Sequence, residues 1–424
     1  MKEEGDWSSC ERRLHVSARS ADRSLIPEWA SLPPELVQGI AYCVLSTAGG
    51  VDTYTDMRAV CPSWRSAIAK PSPHAAFADH RFRPRHWVML DLKSESRDDD
   101  HHDRLFLHVP TGRFRRLRLP VLRDHLVLTA SDGLIVLRDR ERPRLARVLN
   151  PLTGDMLHFA APLWEGLGSV ATLHAAVSGG GARPALVVWR KWDRRVHTVL
   201  YGDPTSTEFA EGYIGKDLLT TMVTFQGSIY LAGQQGSVWK LVPAEHRDPE
   251  LLVAAQMSPD ADIYLQENNI ANSYLVESAG ELLLVRHRDQ ALKVFRVDVE
   301  HKMLEEVKSI SCRALFLGAE RCVSVDANML PSIDTDCIYM FDWVQTHIER
   351  VLHVYNLRDA TMDIIYHPKQ SFHEDPYHYL FGLDIYSSHY GFDIYSFHNN
   401  HHVRPLSLIQ VLLDYCNGDT SSNF

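Results

Sequence analysis

Apolar residues change their spacing once along this chain. Between Pro34 and Ile68 they return every three or four positions, the period of a helix, whereas from residue 81 to 367 they alternate or run in short stretches broken by Gly, Asp and Pro. In the first region Pro33 and Pro34 suit a helix start, where a missing N–H costs nothing, and Glu35 suits the positive end of its dipole. Leu36, Ile40 and Val44 form one stripe, widened by Val37. Ala48, Gly49 and Gly50 predict a break, after which Asp52 is expected to cap a second helix with Tyr54, Met57 and Cys61 on one face. Pro62 should end it. Ser63 is expected to cap a third, short helix that groups Trp64, Ala67 and Ile68 and is stopped by Pro71 and Pro73. Three helices in about forty residues cannot bury a self-sufficient core. Something else must cover their apolar face.

The second region predicts strands throughout. After expected strands at 86–92, 105–109 and 114–119, four more at 125–129, 134–138, 145–149 and 156–159 are separated by Ser131-Asp132-Gly133 and Asn150-Pro151-Leu152-Thr153-Gly154 turns. Four short antiparallel strands in so few residues make one propeller blade. Looser sets follow at 172–177, 185–190 and 196–201, then at 222–225, 228–232 and 237–242. The clearest set spans 273–277, 281–286, 291–298 and 304–307, and further strands are expected at 315–317, 322–326, 337–343, 351–356 and 363–366. The sets recur at roughly forty to fifty residues, an interval typical of propeller blades. A two-sheet sandwich would hold fewer strands. The expected fold is therefore a small all-α module followed by an all-β propeller of six irregular blades, with seven left open.

Composition sets boundaries. With 45% hydrophobic and 23% charged residues the chain resembles an ordinary globular protein, and 424 residues leave room for two or three domains. A formal charge of −10 argues against a general affinity for nucleic acid or for an anionic membrane. The runs Arg81, Arg83, Arg85 and Arg113, Arg115, Arg116, Arg118 alternate with other residues and are expected to be exposed strand faces. Seven cysteines, scattered and without a CxxC pair, suit a reducing compartment, so cytoplasm or nucleus is the expected location. Residues 1–27 read as a mobile leader, without the apolar core of a signal peptide. Residues 368–424 read as an irregular tail, in which Gly382-Leu383-Asp384-Ile385-Tyr386-Ser387 returns nine positions later as Gly391-Phe392-Asp393-Ile394-Tyr395-Ser396, with one short helix expected at 405–413.

Two stretches carry a resemblance. Leu32-Pro33-Pro34-Glu35-Leu36, an apolar helix, and then Arg58-Ala59-Val60-Cys61-Pro62-Ser63-Trp64-Arg65 are similar to the F-box, the segment with which substrate receptors grip a Skp-type adaptor of a cullin ubiquitin ligase. That resemblance assigns residues 28–71 to the F-box. It implies that Leu32, Pro33, Pro34, Leu36 and Ile40 insert into the adaptor, while Val60, Cys61, Trp64 and Arg65 complete the adaptor-binding set by packing the module and its junction. Over residues 81–367, the runs SDGLIVL, LNPLTG, FQGSIYLAGQQGSVWKLV and GELLLVRHRDQALKVFRVDV resemble the domain of unknown function that follows the F-box in a large plant family, a degenerate kelch-like β-propeller. Arg313-Ala314-Leu315-Phe316-Leu317-Gly318 and the Ile338-Tyr339 strand are the most specific pieces of that likeness.

Catalytic patterns are missing from the sequence. It holds no GxSxG elbow; Gly212 and Gly215-Lys216-Asp217 miss phosphate-loop spacing; and His373-Glu374 is followed by His378, one position too late for HExxH, with Pro376 between. Asp98 to Asp103 and His398 to His402 hold metal-ligating residue types, but in stretches that read as solvated loops, so no cofactor and no metal are expected. Trp189 and Trp192 read as core or rim aromatics. The expectation is a non-catalytic substrate-recognition subunit of a Skp/cullin/F-box ligase, whose propeller binds a target protein. The alternatives are an adaptor-bound scaffold with no role in degradation and a propeller enzyme with a dispersed active site.

Overall fold

The computed structural model describes residues 28–47, 50–72, 75–90, 103–142, 144–163, 173–178, 184–190, 198–213, 219–242, 250–257, 272–288, 291–318, 320–343, 350–365 and 408–417. The expected leader, the tandem repeat, Trp192 and both His-rich loops lie outside them, apart from Asp103.

Three helices come first: α1 (Pro34–Leu45), α2 (Gly50–Val60) and α3 (Pro62–Ala67). Pro34 opens α1 as expected. Two expected caps are corrected. Asp52 lies inside the first turn of α2, where its buried carboxylate is taken by arginines of a strand, and so it caps nothing. Pro62 opens α3 with Cys61 as N-cap, because the first helical position tolerates the missing N–H. A short turn of helix, α4 (Ala75–Ala78), leads into the sheets.

Six antiparallel-rich sheets follow, as in a six-bladed propeller. The first holds β1 (Trp87–Met89), β2 (Asp103–His108) and β3 (Arg113–Arg118); the second holds β4 (His125–Ser131), β5 (Leu134–Asp139), β6 (Leu145–Leu149) and β7 (Met156–Pro162). The third is β8 (Leu173–Val177), β9 (Leu186–Arg190), β10 (Thr198–Gly202) and β11 (Ala210–Tyr213). The fourth is β12 (Leu219–Phe225), β13 (Ser228–Gly233), β14 (Val238–Val242) and β15 (Glu250–Ala255), and the fifth is β16 (Asn272–Ser278), β17 (Glu281–Arg288), β18 (Ala291–Asp298) and β19 (Met303–Val307). The last runs β21 (Cys322–Asp326), β20 (Arg313–Leu317), β22 (Cys337–Trp343), β23 (Arg350–Asn356) and β24 (Thr361–Ile365), with β20 and β22 parallel. Two strands escaped the sequence reading, β11 and β15. β11 carries Ala and Gly, poor strand formers that are held by pairing with β10.

Sheets are unequal at the seam: the first has three strands and the last five. Strands β4, β8, β12, β16 and β21 touch in succession, and Arg321 in the β20–β21 turn closes the circuit. Its Nε donates to Ala130 O at 3.1 Å and its Nη2 to Thr129 Oγ1 at 2.6 Å, both on β4. Helix α5 (Leu408–Asn417) is wedged into this seam, close to the expected 405–413 but buried on Val411, Leu412, Leu413, Tyr415 and Cys416. Arg321 Nη1 donates to Tyr415 O at 3.0 Å, and the backbone N–H groups of Glu320 and Arg321 donate to Cys416 O. Gly318 ends the motif singled out in the sequence for this reason: a Cβ there would collide with the Cys416 carbonyl. The core around the seam joins Trp87, Phe106, Leu107, Phe316, Tyr339 and Leu412, with Phe316 and Tyr339 stacked at 4.8 Å.

Candidate interaction surface

Helix α1 has two apolar stripes. Val37, Ala41 and Leu45, spaced four apart, are buried with Val51, Tyr54, Met57, Ile68 and Phe82, and Val44 packs partly against them. Leu36 and Ile40 lie on a neighbouring face and are 56% and 45% exposed. Val44 therefore belongs to a different stripe from the one the sequence spacing suggested. Tyr42 and Cys43 are also exposed.

Of the nine positions drawn from the resemblance, Pro33, Pro34, Leu36, Ile40, Val60 and Arg65 are exposed and Leu32, Cys61 and Trp64 are half-buried. Leu32 and Trp64 pack on the module's core. Trp64 meets the Trp29 ring edge-on at 5.9 Å and donates from Nε1 to Trp29 O at 3.1 Å, while Ser63 Oγ donates to Ala30 O. Val60 is 46% exposed. Arg65 donates to Arg58 O at 3.2 Å, and the Cys61 thiol, lowered by its Ser63 hydrogen bond, faces outward. Leu36, Ile40, Val60 and Trp29 thus leave apolar area in water on an element that has already filled its own core.

The module is braced to the propeller through charge. Asp52 is buried and accepts from Arg113 Nη2; Arg115 lies 3.8 Å from Asp52 and 2.7 Å from Asp56. The Arg113 guanidinium also sits 5.5 Å above the Trp87 ring. Lys70 reaches Asp155 at 3.3 Å, Tyr54 OH donates to Ala69 O, and the Tyr54 and Phe82 rings meet at 5.5 Å.

Between module and β1, the stretch from α4 to His86 closes one mouth of the propeller. Arg83, expected on an exposed strand face, is buried in the link before β1: Nε donates to Phe77 O at 2.7 Å, Nη1 to Val177 O at 2.8 Å and Nη2 to Ser178 O at 2.6 Å. It also pairs with Asp132 at 3.3 Å, and Arg85 pairs with both Asp132 and Glu277. Burial pushes the Asp132 and Glu277 carboxyls up and the Arg83 guanidinium down, against the pull of these partners. Asp132 and Gly133 both take positive φ, and a Cβ on Gly133 would collide with the Pro84 carbonyl. Asn150, from the expected Asn-Pro turn, donates to Ala76 O and Phe82 O at 3.0 and 2.9 Å. Sequence reasoning missed this plug. The turn residues were legible as turns, but their partners lay 47 to 74 residues upstream.

Among the described residues no group of three His, Cys, Asp or Glu is placed to hold a metal ion, and no helix is long and apolar enough to cross a membrane. Trp189 is a core residue.

Residues 106–356 match the KIB1-4 beta-propeller family, more than half of the chain. The chain belongs to that family. The KIB1-4 match starts inside β2 and ends with β23, so the helical module and α5 lie outside it. No curated protein matches the chain. Among solved structures it is similar to the dihydro-heme d1 dehydrogenase NirN, at 15% identity over 49% of this chain and 42% of that one, with a TM-score of 0.29. The chain therefore spans less than half of NirN. It is also similar to the Swd1 β-propeller domain of Myceliophteria thermophila, at 10% identity over 62% and 77% with a TM-score of 0.29. A third likeness is to the WD40 domain of SCAP from fission yeast, at 10% identity over 64% and 69% with a TM-score of 0.32. Such values carry none of these proteins' activities to this chain. A KIB1-4 propeller supplies a rigid ring whose loops are suited to protein interaction.

Proposed function

We propose that this KIB1-4 protein is a substrate-recognition subunit of a Skp/cullin/F-box ubiquitin ligase, with α1 to α3 as the F-box and the propeller as the target-binding domain. The observation that supports it is the second stripe of α1. Leu36 and Ile40 stay in water while Val37, Ala41 and Leu45 complete the module's core, so the exposed pair is available to a foreign subunit at no cost to the fold. Of the other positions drawn from the resemblance, Pro33, Pro34, Val60 and Arg65 are exposed, and Leu32 and Trp64 pack on the module's core. In this reading the chain does no chemistry of its own and needs no cofactor. It works by proximity, turning the encounter between a target lysine and a charged conjugating enzyme into a nearly intramolecular event. The partners are the Skp-type adaptor, a cullin held through it, and a target protein, in cytoplasm or nucleus.

Co-purification with a Skp-type adaptor is the test. The intact chain should retain the adaptor and Leu36→Ala with Ile40→Ala should lose it. Retention by the double variant sinks the docking reading. If the adaptor is retained but deleting residues 29–70 leaves ubiquitin conjugates of a trapped target unchanged, the chain is an adaptor-bound scaffold.

A further inference from the structure

The chain is acidic overall, yet residues 113–147 hold ten arginines against four carboxylates. Two of the ten, Arg113 and Arg115, are spent on α2, and Arg147 lies 3.7 Å from Asp139. The fold gathers several others at the mouth that the helical module leaves uncovered. Strand β3 starts beside α2 at Arg113 and runs away from it, carrying exposed Arg116 and Arg118 to its far end. Strand β5 starts at the Asp132-Gly133 turn, packed on Pro84, and also runs away, so the turn after Asp139 lies at that same far end. Arg140 N donates to Asp124 O at 3.0 Å, tying this turn to the short 3-10 helix Pro120–Arg123. Exposed Arg116, Arg118, Arg123 and Arg142 thus line one continuous rim across the first two sheets.

Arginines outnumber carboxylates at that end: Arg116, Arg118, Arg123, Arg140, Arg142 and Arg144 stand against Asp103, which faces Arg118 across the β2–β3 pairing, and Asp124, Asp139 and Glu141. Asp139 accepts from the backbone N–H groups of Glu141 and Arg142, which hold its carboxyl below the usual range and keep it ionised. Exposed guanidinium groups with planar forks favour carboxylate partners, and their field survives against a negative chain only locally, which selects a short anionic segment over a long polyanion.

We propose that this arginine rim is an interaction surface for an acidic segment of a partner protein, bound in extended form along β3 and the turn after β5. The rim stands at the end of the propeller opposite the plug made by Arg83 and Arg85. It does not depend on the module's docking partner, since Leu36 and Ile40 play no part in it.

The test uses the full chain and a fluorescein-labelled decapeptide of alternating glutamate and serine, with the glutamine version as control. Fluorescence anisotropy at low salt should show binding of the glutamate peptide, weakened about tenfold or more by Arg118→Glu with Arg142→Glu and only partly by Arg118→Lys with Arg142→Lys, which keep the charge without the fork. All four side chains are exposed, so far-UV circular dichroism and the melting temperature should not move. Equal binding of both peptides, or binding unchanged by charge reversal, overturns the proposal. It is equally overturned if a single-stranded RNA decamer displaces the peptide at lower concentration than unlabelled peptide does.

Discussion

The carboxylate of Asp52, buried in the first turn of α2, accepts a hydrogen bond from the half-exposed guanidinium of Arg113 at the start of β3. The two members of the pair are unequally buried, and removing one is unlike removing the other. With Arg113→Ala the buried carboxylate keeps only Arg115, 3.8 Å away, and the loss is expected to be about 2–3 kcal/mol. Asp52→Asn leaves an arginine that water can solvate, and should cost about 1 kcal/mol. Urea unfolding followed by Trp fluorescence separates the two; equal costs would mean that the pair contributes nothing beyond packing.

The two stripes of α1 give a second contrast. Val37→Ala and Leu45→Ala remove side chains from the module's core and should destabilise by about 1–4 kcal/mol. Leu36→Ser and Ile40→Ser change half-exposed side chains outside that core and should stay within about 0.5 kcal/mol of the parent. A melting series of the four variants decides it, and comparable losses at Leu36 and Leu45 would show that the outer stripe is packed.

Gly318→Ala places a methyl group against the Cys416 carbonyl and should push α5 out of the seam. Cys416 is buried and its thiol is raised well above the usual range, so the parent should resist alkylation by iodoacetamide. In the variant, mass spectrometry should find Cys416 labelled at least several-fold faster. Unchanged labelling would mean that the backbone yields at Gly318 instead.

Burial pushes the His86 imidazole down to about 4, with Arg85, His108 and Arg313 adding to the effect. In the unfolded chain the same group titrates at about 6.5. Between these values the unfolded state binds the proton and the folded state does not, so stability rises with pH through that window and falls on acidification from about 7 to 4. Burial lowers His108, 6.1 Å away, in the same direction. Urea midpoints at pH 7 and 4.5 should differ less for His86→Asn than for the parent. An equal difference would place the acid lability elsewhere.

What the sequence disclosed depended on whether the deciding forces were local. The blades were legible where turn chemistry sat between alternating runs, as at Asp132-Gly133, because positive φ there is a property of the turn itself. Strand β15 went unread: its Leu252 and Val253 are exposed, and its pairing with β14 supplies the order that its pattern does not. The plug at Arg83 was invisible for a related reason. An arginine beside a proline looks solvated until Phe77, Asp132 and Val177 surround it from three parts of the chain. On the module, the pattern gave the helices but grouped Leu36 with Val44, since a period of 3.6 does not say which of two adjacent stripes meets the core.

Arg321 holds both Thr129, 192 positions earlier, and the backbone of Tyr415. During synthesis every blade therefore leaves the ribosome before the piece that locks the circle exists. Until residues 408–417 emerge, the seam lacks the helix that packs on its last sheet and accepts from Arg321.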